Sequence, residues 1–292
     1  MFDGEQRWAY NGVEVLSNIY LTMEDVQMTL WEALILGLVQ GLTEFLPVSS
    51  SGHLVLLQRL FGVNEAVLTF DVMVHLGTLL AVITVFRQDI SAMIRRPWDK
   101  LPRLIIVGVI PTAVIGFVFS DFFAQLFSTG QTLGIGFLVT GAILWLAESI
   151  RSRNRSLHSM TYGDAAFIGL MQGLAILPAV SRSGLTIAGA LFRGLDRELA
   201  ARYSFLLSLP AILGASVLEA KDLSIGSGVE ISLLPLLVGI ITASVSGYVA
   251  IKFMLRLLAS GSIRKFSYYV WILGVLVLVD QLFTHRFFAP LF

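Results

Sequence analysis

The chain contains no cysteine, which removes disulfides, thiolate nucleophiles and Cys-ligated metals together. Charge is scarce as well. Asp, Glu, Lys and Arg make up 14% of the 292 residues, and twenty basic residues cancel twenty acidic ones. A neutral chain of this kind has no electrostatic footprint for nucleic acid, so no nucleic-acid partner is expected. The N-terminus also lacks a basic segment leading into an apolar run, so no cleavable signal peptide is expected. In place of charge the chain has apolar residues, 56% of the total. A soluble domain of this length cannot hide so much apolar surface, and the composition reads as a polytopic, all-α membrane protein.

Six apolar runs approach the roughly 20 residues that cross a bilayer as a helix. They cover about Leu68–Phe86, Leu104–Ser120, Gln131–Ser149, Ala200–Leu218, Ile231–Ile251 and Tyr268–Phe283. Two further stretches are interrupted: Leu30–Phe61 at Pro47–Gly52, and Ala165–Phe192 at Pro178–Gly184. Half-length apolar pieces on either side of a Pro/Ser/Gly break predict re-entrant helical hairpins. The connections 87–103, 150–158, 193–202 and 252–265 hold fifteen of the twenty Lys and Arg residues. The positive-inside rule therefore places these connections in the cytoplasm and both termini outside, provided each broken stretch re-emerges where it entered. Residues 1–27 are acidic, with Asp3, Glu5, Glu14, Glu24 and Asp25 against Arg7, and suggest a short interfacial helix near Val13–Leu21. Met28 offers an alternative start, so 1–27 is expected to be a dispensable extension and 28–292 a single integral membrane domain.

The broken stretches are copies. "GLVQGLTEFLPVSSSGHLV", Gly37 to Val55, falls without a gap on "GLMQGLAILPAVSRSGLTI", Gly169 to Ile187, after a shift of 132 residues. By the charge count the first enters from outside and the second from the cytoplasm. The expected fold is thus six transmembrane helices and two re-entrant hairpins in an inverted-topology repeat, with halves of about 28–150 and 160–292. Such folds bring broken helices together near the midplane, where half-helix N-termini hold anions. The alternative is that small residues here serve only close helix packing. Against it stand the residues that differ between copies, Glu44, Ser50 and His53 in one, Arg182 and Thr186 in the other. An ionisable group near the bilayer centre costs roughly 2.5–3.5 kcal/mol and is kept mainly where it acts.

Gln40 and Glu44, four apart, share one helix face, where their oxygens can hold a divalent cation or orient a water; a helix-packing pair is the alternative. Ser49, Ser50 and Ser51 precede a half-helix and offer hydroxyls and N–H groups to a phosphate, though serine is also an ordinary cap. His53 can serve as general base or acid, at a spacing from Ser50 that a tight turn closes to hydrogen-bond distance. Arg182 carries a planar fork suited to phosphate oxygens, with Ser181, Ser183 and Thr186 around it. Asp71 and His75 share a face of the first span and are candidates to line the cavity. Glu148 sits at a segment end where solvated charge is expected, and Arg59 is placed to reach lipid headgroups.

"QGLTEFLPVSSSGH", Gln40 to His53, and "LPAVSRSGLT", Leu177 to Thr186, resemble the two signatures of the bacterial undecaprenyl-diphosphate phosphatases, also called bacitracin-resistance proteins. The resemblance runs from about Thr29 to the C-terminus. Gln40 stands where many members have Glu, and Ala179 replaces the usual Gly after the proline. The resemblance implies removal of the terminal phosphate from undecaprenyl diphosphate, giving the monophosphate that carries peptidoglycan precursors. It implies a multi-pass protein of the bacterial cytoplasmic membrane with a site facing outward, dependent on a divalent cation, Mg2+ or Ca2+. Carried over, Glu44, Ser50, His53 and Arg182 are catalytic positions, Gln40 and Glu44 the metal side, and Ser49, Ser51, Ser181, Ser183 and Thr186 the phosphate side. The expected partners are a polyprenyl diphosphate and membrane lipid, with a homodimer left open. Acid-phosphatase-like lipid phosphatases also carry S-G-H, but Asp89 stands where they need Lys and Ala188 where they need His. The rival of another class is a polyprenyl-phosphate transporter or flippase, which needs anion-binding groups but no nucleophile.

Overall fold

The computed structural model describes residues 28–63, 67–150, 154–226, 232–288 and 290. The acidic stretch 1–27, with its expected interfacial helix, lies outside the described residues. Helix α1 (Leu30–Phe45) starts where Thr29 and Glu32 cap it reciprocally, each side chain taking the other's backbone N–H. It stops just short of Leu46, which turns extended as Pro47 demands of its neighbour. Helix α2 (Ser50–Phe61) comes next, capped by Ser49 and closed by left-handed Gly62. The second copy uses the same devices. Helix α8 (Tyr162–Leu174) opens on a Thr161–Asp164 capping box, and α9 (Arg182–Phe192) on Ser181. With 16, 12, 13 and 11 residues, none of these four is long enough to span a bilayer.

Between and after them run α3 (Val67–Val85), α4 (Arg87–Arg95), α5 (Lys100–Val118), α6 (Ser120–Thr129), α7 (Leu133–Ser149), α10 (Arg197–Gly226), α11 (Leu233–Ser260) and α12 (Arg264–Val279), the last running on as a π-turn to Thr284. Among the described residues, four helices are long and apolar enough to cross a membrane alone: Lys100–Val118, Arg197–Leu218, Leu233–Ala259 and Arg264–Thr284. Two more spans result if Thr69–Val85 is taken with Arg87–Arg95, bent by 78°, and Ser120–Thr129 with Leu133–Ser149, bent by 111°. The chain is a multi-pass, all-helical membrane protein with four to six candidate spans. Helices α4 and α6 were expected as plain connections. They are short helices with almost nothing buried, only Phe123 in α6.

The repeated glycines mark where helices cross closely. A Cβ on Gly37 or Gly41 would run into Gly239, Thr242, Ala243 and Ser246 of α11, and one on Gly169 into the Gly108 carbonyl of α5. Small residues let two backbones approach where lipid gives no hydrophobic drive for association. Gly169→Ala is therefore expected to force α8 from α5, costing about 1–3 kcal/mol by overpacking. Thermal unfolding in micelles measures this; an unchanged midpoint would refute the close crossing.

Polar groups at the helix ends are paired rather than solvated. Fully buried Asp164 takes the Arg155 guanidinium at 2.8 Å and Arg193 at 2.6 Å. Glu148 holds Arg197 at 3.1 and 3.2 Å and accepts the Ile263 N–H at 3.0 Å. This corrects the expectation of a solvated carboxylate: the loop between α11 and α12 folds back onto α7 and α10 and needs an acceptor. Arg59 likewise donates to the Phe287 carbonyl at 2.9 Å and lies over the Phe288 ring, so its head is held by the C-terminal tail.

Candidate functional site

The two breaks, 46–49 and 175–181, come together at one carboxylate. Glu44, in the last turn of α1, is 5% exposed. Its Oε1 accepts from Nη2 of Arg182, the first residue of α9, at 2.5 Å. Its Oε2 accepts from Ser50 Oγ, at the start of α2, at 2.6 Å, and from Gln40 Nε2, one turn back, at 3.0 Å. A second strut crosses between the copies where Ser183 Oγ donates to the Leu46 carbonyl at 3.0 Å. Charge-assisted bonds of this length are among the strongest polar contacts a protein makes, and burial strengthens them.

Each break contains one non-glycine residue in left-handed backbone, Ser49 at φ 72° and Ala179 at φ 59°. Such a conformation costs about 1–2 kcal/mol and persists only where packing holds it. Ala179 is fully buried beside Val48 and Phe137, while its carbonyl accepts from Thr140 Oγ1 at 3.2 Å. The same Thr140 oxygen takes the Ser181 N–H at 3.0 Å. The position where a glycine would be free is thus occupied by an alanine pinned from α7.

The turns then feed two helix N-termini. Ser49 Oγ accepts the Gly52 N–H at 3.3 Å and Ser181 Oγ the Gly184 N–H at 3.0 Å. Ser49 and Ser51 pair at 3.3 Å, as do Ser181 and Ser183. Helix geometry leaves the first N–H groups of α2 and α9, at Ser50, Ser51, Arg182 and Ser183, without intrahelical acceptors, an arrangement that suits an anion. Two buried side-chain atoms beside Glu44 also have no hydrogen-bond partner among the described residues: Arg182 Nη1 and Gln40 Oε1. One is a cationic donor and the other an oxygen acceptor. Buried polar atoms are rarely left unpaired, so both point to a ligand.

Other expected residues sit differently. His53 does not reach Ser50. Its Nδ1 faces the Ser49 carbonyl at 2.6 Å, its Nε2 the Tyr269 hydroxyl at 2.8 Å, and its ring lies against Phe137 and Tyr269. The hydrogen bond that the Ser50–His53 spacing allowed is replaced by Ser50 on Glu44, because the helical turn of α2 carries the imidazole onto α7 and α12. Thr186 is fully buried, with its hydroxyl bound to the Arg182 carbonyl at 2.8 Å and Ser204 at 2.5 Å. It anchors α9 to α10 behind the cluster. Tyr269, Thr140 and Ser204 were missed. Tyr269 is one of several aromatics near the start of the last apolar run, and nothing local marks it as the partner of a residue 216 positions away. His75, weighed only as a cavity-lining residue, brings Nε2 to 3.8 Å from Glu44 Oε2.

Comparisons with known proteins find relatives along most of the chain. The model of the family described as "Bacitracin resistance protein BacA" matches residues 33–276. A protein of Carboxydothermus hydrogenoformans named undecaprenyl-diphosphatase is 59% identical over 256 residues, 87% of this chain and 98% of its own. Proteins of the same name from Halothermothrix orenii and Alkaliphilus metalliredigens are 47% and 42% identical, covering 86% and 87% of this chain and 98% and 100% of their own.

Proposed function

The chain belongs to the bacitracin resistance protein BacA family, and on that footing we propose that it is an undecaprenyl-diphosphatase, releasing inorganic phosphate and undecaprenyl phosphate. The observation that carries the reading is the Glu44 carboxylate, which gathers a hydroxyl from one break and a guanidinium from the other. Arg182 Nη1 and the N–H groups at the starts of α2 and α9 receive the terminal phosphate. Ser50 Oγ attacks its phosphorus while the hydroxyl proton passes to Glu44 Oε2. The new oxygen–phosphorus bond replaces the one to the bridging oxygen, which leaves on the monophosphate, and Glu44 hands its proton to that departing product. Water then displaces Ser50 from phosphorus. One of its protons stays on the phosphate and the other reaches Ser50 Oγ through Glu44. His53 holds the turn in place from behind, through the Ser49 carbonyl and Tyr269.

A divalent cation, Mg2+ or Ca2+, fits the partnerless Gln40 Oε1 next to Glu44, and these two residues would hold it. Among the described residues no cluster of three or more His, Cys, Asp and Glu forms a self-sufficient cage, so the diphosphate and water would complete the shell, as such cations accept. When bound it neutralises charge on the phosphate oxygens.

The arrangement in the membrane is read as six spans with α1–α2 and α8–α9 re-entrant, forming an inverted repeat, with termini and site on the outer face of the cytoplasmic membrane. Supporting it, Leu30 and Tyr162, and again Ser50 and Arg182, begin their helices at the 132-residue separation of the sequence repeat. Supporting it too, α1 crosses α11 as α8 crosses α5.

Purified protein in detergent is expected to release phosphate from undecaprenyl diphosphate, and chelation to stop it. Lipid movement in liposomes with no phosphate released would instead favour a carrier. Ser50→Ala is expected to lose nearly all turnover; substantial residual activity would assign the attack to water and leave Ser50 a binding role.

A further inference from the structure

We infer that His75 is a positioning residue of this reaction, holding the attacking water between its Nε2 and Glu44 Oε2. The inference rests on the phosphatase reading and adds a residue to it. His75 lies on α3, and its Nδ1 is 2.6 Å from the Asp71 carbonyl. A carbonyl only accepts, so Nδ1 carries a hydrogen, and in the uncharged form of the ring the lone pair lies at Nε2. That nitrogen has no partner within hydrogen-bond distance among the described residues, and its side chain is 30% exposed. It faces the carboxylate oxygen that Ser50 and Gln40 already donate to, across 3.8 Å. In that form the 3.8 Å gap lies between two acceptors, and a donor to both can bridge it. A water about 2.8 Å from each would subtend about 85° at its oxygen, near the angle between its own two hydrogens.

The other imidazole of the site cannot take this part. Both nitrogens of His53 are engaged, by the Ser49 carbonyl and the Tyr269 hydroxyl. His75 is the imidazole with an open nitrogen facing the nucleophile's base. A water held there has both hydrogens directed away from the substrate and a lone pair free, beside the oxygen of the serine it must displace. In the hydrolytic step the bond from water oxygen to phosphorus forms, the bond from phosphorus to Ser50 Oγ breaks, and one water proton returns to that oxygen through Glu44. His75 accepts a hydrogen bond throughout and ends the cycle unchanged.

The test compares kcat and KM for wild type, His75→Leu and His75→Gln in micelles, with thermal unfolding followed alongside. Leucine fills the volume but accepts nothing, and kcat is expected to fall about a hundredfold, the scale of a misplaced reacting group, with KM within about twofold. Glutamine can present its amide oxygen near the place of Nε2 and is expected to recover most of the loss. Should the leucine variant unfold, His75→Asn, whose carboxamide stops short, takes its place with the same expectation. Wild-type kcat in the leucine variant, a loss confined to KM, or failure of glutamine to rescue would each overturn the water site. A wild type releasing no phosphate would instead sink the phosphatase reading itself.

Discussion

Glu44→Gln is expected to reduce phosphate release by about a thousandfold or more while the protein still folds. The substitution keeps shape and burial but removes the base that takes the Ser50 proton, and positioned proton transfer alone contributes roughly 10²–10⁴-fold. It also removes the charge that Arg182 answers. Breaking a buried pair from one side costs about 3–5 kcal/mol, because the remaining charge is left without compensation. The Arg182 side chain is 16% exposed, which places it nearer the buried than the surface case. Stability and activity can therefore be separated. In Glu44→Leu/Arg182→Met, where both charges are gone, stability should recover toward wild type, since apolar replacements of buried pairs are often neutral. Activity should not recover. Chemical unfolding and phosphate release on wild type, the two single variants and the double variant decide the matter. Normal turnover in Glu44→Gln would remove Glu44 from the chemistry.

Arg182→Lys is expected to lower turnover about ten- to a hundredfold although the charge is kept. The guanidinium has two tasks. Nη2 holds Glu44 Oε1, joining the two breaks, while Nη1 is buried with no protein partner among the described residues and is left for a phosphate oxygen. An ammonium is a compact, strongly hydrated charge and cannot serve both directions in one plane. One charge-assisted bond of roughly 1.5–3 kcal/mol, if it strengthens in the transition state, accounts for a loss of that size. Turnover and KM at saturating divalent cation measure it. Near-normal values would show that Arg182 only balances the charge of Glu44, and the phosphate clamp would be wrong.

Much of this molecule was legible because its signals are local. Pro47 and Pro178 mark the two breaks, Ser49 and Ser181 cap the half-helices α2 and α9, and the apolar runs locate the long helices, although α10 and α11 run on past Leu218 and Ile251 to Gly226 and Ser260. The repeat could be read because its glycines recur at fixed spacing, and Gly37, Gly41 and Gly169 turned out to lie at close helix crossings. Gln40, Glu44, Ser50 and Arg182 could be chosen because polar groups in apolar surroundings are costly and therefore stand out. Helices α4 and α6 were not legible as such, since at 9 and 10 residues they are too short for a periodic pattern to stand out from the connections that hold them.

The sequence by itself determined where the chain breaks, which residue types meet lipid, and which polar residues need a reason to be there. These come from rules acting over a few residues: the proline's steric demand, the cap's hydrogen bond, the cost of a charge in hydrocarbon. Only the tertiary structure decided who answers whom. It placed Ser50 on Glu44 instead of His53, gave His53 to Tyr269, and tied Thr186 to Ser204. It also paired Glu148 with Arg197 and opened His75 toward the carboxylate. The physical reason is that a short polar side chain accepts any partner within about 3 Å. Which partner arrives there is settled by the packing of helices far apart along the chain, such as those of Glu44 and Arg182, 138 residues apart.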